Sequence, residues 1–159
     1  MRRTILIGLL AALVAAVPAR AGAVADPWAT VNVCDTLEHP NEMGIRGSMP
    51  GLTRRTRMTM RFRVQYRDDG RWRFVRSRIA DSGHQFVDVG RGGEHDAGWS
   101  FEFEPPKSGG AYELRGVVDF NWKKRARTVR HERRVTTGRH PGTMGADPED
   151  FSAATCAIA

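Results

Sequence analysis

Two cysteines constrain this chain more than any other feature. Cys34 and Cys156 are its only cysteines, and they lie near the two ends of the part that follows a predicted secretion signal. Secretion permits disulfide formation, and two cysteines allow one intramolecular connection. We therefore predict a disulfide that joins the N- and C-terminal segments, which would stabilise the fold by about 4 to 5 kcal/mol in the chain-entropy model. The alternative, a catalytic thiol, requires a neighbouring base, and neither cysteine lies in a recognisable nucleophile motif.

Residues 1–23 have the three parts of a secretory signal peptide. Arg2 and Arg3 supply a positive start, residues 5–17 are uncharged and almost wholly apolar, and small residues follow. Cleavage is expected after one of three alanines, Ala21, Ala23 or Ala25. An uncleaved membrane anchor would need about 20 apolar residues, whereas this run has 13. We therefore expect a secreted, extracellular protein with no membrane span after cleavage. Its residues 24–159 should form a single domain, because domains most often contain about 100 to 150 residues.

The mature protein is less basic than the full chain. The formal charge of the full chain is +7, but Arg2, Arg3 and Arg20 leave with the signal while all 18 acids stay, so the mature balance is 22 minus 18, or +4. Arginine accounts for 22 of the basic residues and lysine for 3. That skew fits selection for bidentate anion recognition, but the abundant alanine and glycine favour the codon usage of a GC-rich genome as its source.

Alternating apolar and polar residues predict an all-β fold. The clearest run covers residues 57–66, where Met58, Phe62 and Tyr66 alternate with charged or polar neighbours. The predicted strands cover residues 28–34, 57–66, 71–75, 85–89, 99–104, 112–122 and 128–136. Turn residues separate them, and the Asp-Gly turn within 67–70 predicts a hairpin. The only helical candidate is short and runs from Asp147 to Ala154. We predict a two-layer antiparallel sandwich, with residues 138–147 as a mobile loop.

The segment from Ser108 to Val118 resembles the entry to strand F of immunoglobulin-like and fibronectin type III domains. In that family a tyrosine forms a corner there by bonding to backbone upstream, and Tyr112 would hold the position. Leu114 stands where antibody domains place a cysteine, so a bridge of the antibody type is excluded. Trp72 is similar to the core tryptophan of strand C. The resemblance implies an immunoglobulin-like sandwich, and it covers about residues 55–137.

Three further segments resemble small uncharacterised secreted proteins of GC-rich bacteria. They are residues 33–36, 43–51 and 114–118. No activity comes with that likeness, and the sandwich architecture hosts many unrelated functions. The resemblance therefore predicts a fold and leaves the function open.

Two short motifs invite a metal-site interpretation. Glu94-His95-Asp96, in a glycine-rich loop, could supply metal ligands, but the histidines of the chain are scattered without the close paired spacing of zinc sites. Asp68-Asp69-Gly70 lacks the alternating acidic ligands and the closing glutamate of a calcium loop. Solvated loop residues and a hairpin turn are the favoured interpretations, and we predict no metal and no cofactor.

Two other motifs raise the possibility of a hydrolase. Ser48 lies in a glycine-containing stretch without the G-x-S-x-G spacing of a nucleophile elbow. Glu102 and Glu104 would lie on the same face of a strand, roughly 7 Å apart by strand rise, a conceivable glycosidase separation. Because they alternate with Phe101 and Phe103, they are expected to point outward, where burial cannot raise a pKa. We predict no catalytic residues, and an extracellular hydrolase is the third functional hypothesis.

Clustered arginine and lysine residues give the sharpest binding hypothesis. They are Arg57, Arg61 and Arg63 on one predicted strand, and Lys123, Lys124, Arg125, Arg127, Arg130, Arg133 and Arg134 around the last hairpin. Such clusters attract acidic polymers, with affinity that falls as salt rises. Structural explanations compete with this one. In an immunoglobulin-like topology the strand with Arg61 and Arg63 would neighbour the one with Glu102 and Glu104 and form ion pairs, and charged edge strands discourage aggregation.

We therefore predict a secreted, non-catalytic binding or structural module of the extracellular space or cell envelope. The second hypothesis is an anion-binding protein that uses the basic hairpin, with Lys123, Lys124, Arg125, Arg127 and Arg130 as the site. Its partner would be an acidic glycan, an anionic envelope polymer or another protein, and nucleic acid is the least expected partner of a secreted chain.

Overall fold

A computed structural model describes residues 25–76, 84–107, 109–140 and 142–159. The predicted signal peptide, residues 1–23, lies outside the described residues. The described part contains nine strands: β1 Trp28–Cys34, β2 Glu42–Pro50, β3 Arg57–Asp68, β4 Arg71–Phe74, β5 His84–Arg91, β6 Glu94–Glu102, β7 Tyr112–Lys124, β8 Arg127–Val135 and β9 Cys156–Ile158. Within these ranges no helix is present, and hence none long and apolar enough to cross a membrane.

The strands form two antiparallel sheets. The first, which we call sheet A, has the order β1-β2-β6. The second, sheet B, has the order β4-β3-β7-β8, and β5 also pairs with β3 while β9 also pairs with β7. The chain passes from sheet B to sheet A between β5 and β6, through Gly92 and Gly93. The predicted all-β fold with two antiparallel sheets is confirmed.

The apolar residues that alternate with polar ones in the sequence form the core. In β3, Met58, Met60, Phe62 and Val64 are buried, and in β7 every second residue from Leu114 to Trp122 is buried as well. Facing them in sheet A are Val31, Met43, Ile45 and Met49. These side chains belong to one hydrophobic cluster, because alternate residues of a strand point to the same face.

The predicted disulfide is present. Cys34 at the end of β1 and Cys156 at the start of β9 are joined, with their Cα atoms 5.4 Å apart and a sequence separation of 122. Cys156 is buried, and β9 pairs with the start of β7. The bond thus fastens the last strand of sheet B to the first strand of sheet A.

The segment after β8 packs along β1 instead of forming a helix. Asp147 and Ala153 make isolated bridges to Val33 and Val31, and the amide of Asn32 donates to the carbonyl of Gly145 at 2.9 Å. The predicted helix over 147–154 is therefore wrong, because these backbone groups bond to β1 rather than to each other. This covering segment also explains why both faces of β1 are buried.

Several other details differ from the sequence predictions. Strands β2 and β9 had no predicted counterpart, and β6 begins at Glu94, so Glu94-His95-Asp96 opens a strand rather than lying in a loop. Trp72 is half-buried on the short strand β4, and the fully buried tryptophan is Trp122. The neighbours of β3 are β4, β5 and β7, so Arg61 and Arg63 do not lie beside Glu102 and Glu104 as predicted.

Candidate anion-binding site

The tip of the β7–β8 hairpin is basic and uncompensated. Lys123 and Lys124 end β7, Arg127 begins β8, and Arg125 occupies the turn with a φ of 56°. Lys124, Arg125 and Arg127 are exposed, and Lys123 is half-buried. None of the four is in an ion pair with a carboxylate of the described residues. The hairpin geometry therefore brings four positive charges together in five residues of chain.

Sheet pairing extends this tip onto two further segments. Arg57 at the start of β3 lies directly opposite Lys123, and on its other side it lies opposite Arg91 at the end of β5. The side chain of Arg91 donates to the carbonyl of Arg55 at 3.3 Å. Arg54 contacts the same turn, since a Cβ on Gly92 would lie 3.2 Å from its Cα. The loop before β3 thus adds two exposed arginines to the cluster.

We call this cluster the basic end. It comprises Arg54, Arg55, Arg57, Arg91, Lys123, Lys124, Arg125 and Arg127. Its single ion pair joins Arg57 to Asp88 at 2.7 Å, among the residues that the structure describes. The hydrogen bond from Arg57 lowers the pKa of Asp88, so that carboxylate stays charged. The remaining seven cations have no such partner, and their positive potential is directed into solvent.

The sequence assigns Arg130 to the same site, but its side chain makes contacts within the fold. Its guanidinium stacks over the ring of Trp122 at 4.6 Å and forms a close ion pair with Glu132. Arg134 forms a second close ion pair with the same carboxylate and donates to the carbonyl of Pro27 at 3.1 Å. These two arginines therefore fasten β8 to the start of β1 and are largely neutralised.

Arg63 and Arg133 are also used within the fold. Both donate to the carboxylate of Asp119, at 2.8 Å and 2.6 Å, and His131 lies 3.3 Å from it. Asp119 is only 4% exposed. Burial alone would raise its pKa, but hydrogen bonds from Arg133 and His131 and the charge of Arg63 outweigh it and hold the pKa below the usual value. Arg61 on the same face lies over the ring of Phe86 at 5.1 Å.

The hydrolase candidates are not brought together. Ser48 is 1% exposed and donates to Glu94 at 2.8 Å. The ring of His95, which is next to both Glu94 and Asp96, instead contacts the carbonyl of Gly92 at 2.6 Å. Glu102 and Glu104 are exposed, as their alternation predicted. Among the described residues, no histidine is therefore hydrogen-bonded to the hydroxyl of Ser48.

A different group could hold a metal ion. One ligand atom each from Glu38, His39 and Asp147 lies within 4.8 Å of the others. Sequence reasoning missed this group because Asp147 is more than a hundred residues from the other two. Two of its members already have protein partners, since Thr36 donates to Asp147 in a short contact and His39 lies 3.3 Å from Glu42.

Tyr112 is the first residue of β7 and lies opposite Ile158 of β9. It is 39% exposed. The predicted role of Tyr112 as a tyrosine corner stays a prediction.

Comparisons with known proteins add no relative. No protein-family model matches the chain. No curated protein and no solved structure matches it either. The geometry of the site is therefore the whole basis for a functional proposal.

Proposed function

We propose that this protein is a secreted binding module of the extracellular space or cell envelope that holds an anionic polymer at the basic end. The observation that carries the proposal is the gathering of eight cations from three segments with a single ion pair among the described residues. A cluster that served only the fold would be expected to resemble Asp119 and its three basic neighbours, where each charge has a partner.

The arrangement of the cations favours a polymer over a small ligand. They come from the β7–β8 hairpin, the start of β3 and the end of β5, so they are spread over three segments of the surface. Such a surface attracts a chain of repeated negative charges through released counterions, and binding weakens steeply as salt rises. Six of the eight are arginines, whose planar forks match carboxylate and sulfate groups.

The compartment narrows the class of partner. The Cys34–Cys156 disulfide suggests a non-cytosolic compartment, where such bonds persist. Together with the predicted signal peptide, it supports an acidic glycan or an anionic envelope polymer as the ligand. Nucleic acid is the less favoured polyanion for such a location.

We also propose that the fold is immunoglobulin-like in its strand order. Sheet A, β1-β2-β6, corresponds to strands A, B and E of that architecture, and β3-β7-β8 corresponds to C, F and G. Tyr112 then stands at the start of strand F, where the family has its tyrosine corner. The fifth strand departs from the pattern because it pairs with β3 rather than with β6.

The test is retention of the mature protein on a sulfated resin as salt is raised from about 50 mM to about 500 mM. A triple variant, Lys124→Gln, Arg125→Gln and Arg127→Gln, removes three uncompensated charges from the exposed hairpin tip. We expect it to elute at clearly lower salt than the parent. The matched control changes Arg67, Arg71 and Arg73 to Gln, which removes the same charge from the opposite end of β3 and should elute close to the parent.

Two results would overturn the proposal. One is the absence of retention of the parent protein at low salt. The other is equal loss of retention in both triple variants, which would mean that only net charge matters. If the hairpin variant kept its retention but aggregated, the charges would serve to protect the β8 edge instead.

A further inference from the structure

A groove crosses the outer face of sheet A, away from the basic end. Its floor is formed by Asn32, Gly44, Arg46 and Gly98, from all three strands of the sheet, and the segment with Gly145 forms a wall. The cavity volume is about 430 Å³. This size falls within the range of about 300 to 1,000 Å³ that is common for small-molecule sites.

Two glycines form the depression in the sheet. A Cβ on Gly44 would lie 2.8 Å from Oδ1 of Asn32, so no larger residue fits beneath that amide. A Cβ on Gly98 would lie 3.4 Å from Cδ and 3.7 Å from Nη1 of Arg46. The side chain of Arg46 therefore lies across Gly98 along the floor and does not extend straight into solvent.

Arg46 has no partner for its charge. Its Nε is buried without a hydrogen bond, and the side chain makes no ion pair, hydrogen bond or ring contact among the residues that the structure describes. Two other arginines also have a buried, unbonded Nε, but Arg63 has its Nη2 on Asp119 and Arg61 lies over Phe86. A buried donor without an acceptor is costly, so it calls for an explanation.

The other polar groups that line the groove do not pair with the guanidinium of Arg46, so it is available to a ligand. His39 and Glu42 stand at one end of the groove, 3.3 Å apart, and contact each other. The amide of Asn32 donates to the wall at Gly145 and so fixes the width of the groove. Ser100 adds a hydroxyl to the lining. One unpaired guanidinium beside hydroxyl and amide groups matches a ligand with one carboxylate and several hydroxyls.

We propose that this groove binds a small hydroxylated carboxylate, of the size of a sugar acid, through Arg46. The terminal nitrogens of the guanidinium, which have no acceptor among the described residues, bind the carboxylate. The polar groups that line the groove form hydrogen bonds with the hydroxyls of the ligand. This site is separate from the basic end, so it does not depend on the polymer proposal.

The experiment is a titration of the ¹⁵N-labelled mature protein with sodium glucuronate, followed by NMR, with glucose as the neutral match. We expect glucuronate to shift the amide signals of Gly98, Ser100 and Gly145, and glucose to have little effect. Arg46→Gln should weaken glucuronate binding by about tenfold or more, because a hydrogen-bonded charge is lost. Arg73→Gln, an exposed residue outside both proposed sites, should leave the affinity unchanged.

Either of two outcomes would overturn the inference: signal shifts that map to the basic end, or equal affinity of Arg46→Gln and the parent. Arg46→Lys serves if the glutamine variant does not fold, since it keeps the charge but loses the planar fork and should bind more weakly than the parent. Failure of the resin experiment would leave this result untouched, since the resin probes a polymer and the titration a single sugar acid.

Discussion

At the scale of single residues, Asp119 is expected to contribute strongly to the stability of the fold. It is 4% exposed and accepts from Arg63 and Arg133 on two neighbouring strands, so it ties β3, β7 and β8 together. Burial is also the main cause of the lowered pKa of Arg63, and arginine remains charged despite such a shift. If the carboxylate were lost, the half-buried guanidinium would keep its desolvation cost and lose its partner.

We predict that Asp119→Ala lowers the free energy of unfolding by about 3 kcal/mol, as measured by urea denaturation at neutral pH. Asp88→Asn removes a carboxylate from the exposed pair with Arg57 and is the control, with a loss below about 1 kcal/mol. A loss at Asp119 no larger than that of the control would mean that this buried cluster does not contribute to stability.

The same carboxylate gives the stability a pH dependence. Because the folded-state pKa of Asp119 is lowered below its unfolded value, its contribution is present above the unfolded pKa of about 3.9 and is lost as pH falls through the folded pKa. We expect the parent to lose stability in that acidic window and the Asp119→Asn variant to lose less there. Parallel curves of unfolding free energy against pH would contradict this assignment.

At the scale of elements, the crossing from sheet B to sheet A depends on close backbone contact. A Cβ on Gly51, just after β2, would lie 2.3 Å from the carbonyl oxygen and 2.5 Å from the nitrogen of Gly93. Backbone atoms cannot move aside as the end of a side chain can. Gly51 therefore allows the β5–β6 connection to reach the end of β2.

We predict that Gly51→Ala destabilises the protein by more than about 2 kcal/mol, because the connection must shift. Gly70→Ala is the control, since nothing lies within 4 Å of its added Cβ and only its positive φ is strained, at a cost of about 1 kcal/mol. The measurement is thermal unfolding of both variants. A smaller effect at Gly51 than at Gly70 would show that this contact can relax.

The elements show what the sequence could predict. Strands with long alternation, such as β3 and β7, were predicted because their buried residues repeat every second position. Strand β2 was missed because Gly44 and Gly47 interrupt the apolar signal, although the structure uses both for close packing. The helix predicted after Asp147 failed because β1 offers bonding partners that local propensity does not reveal.

The candidate site was predicted only in part for a similar reason. The hairpin cations lie close together in the sequence, whereas Arg54, Arg55 and Arg91 join them through sheet pairing between distant segments. The sequence could not indicate that Arg130 contacts Glu132 and Trp122, because those contacts depend on the register of β8 with β7. A sequence indicates how many charges a segment carries, but their partners depend on strand register.

At the scale of the whole molecule, one disulfide encloses β2 through β8. The two cysteines are separated by 122 residues, and β9 is a strand of only three residues. So short a strand has few ladder bonds of its own. The covalent bond therefore keeps the C-terminal segment against β1 and β7.

We predict that the Cys34→Ser, Cys156→Ser double variant loses about 4 to 5 kcal/mol of stability, since a loop of this length restricts the unfolded chain strongly. Chemical denaturation of the double variant beside the oxidised parent measures the difference. The Ser48→Ala variant, which lacks a buried hydroxyl but keeps the bond, is a control for a change of one polar group. A loss in the double variant no greater than in Ser48→Ala would contradict the role given to the bond.

The same bond has a mechanical consequence. When tension is applied to the polypeptide on both sides of the enclosed loop, the force passes through the two sulfur atoms, which join Cys34 directly to Cys156. The enclosed strands β2 to β8 are thereby bypassed, whereas β1 and β9 lie outside the loop and are loaded directly. A module fixed in this way can be pulled by its flanking chain while the surfaces on β2 to β8 keep their shape.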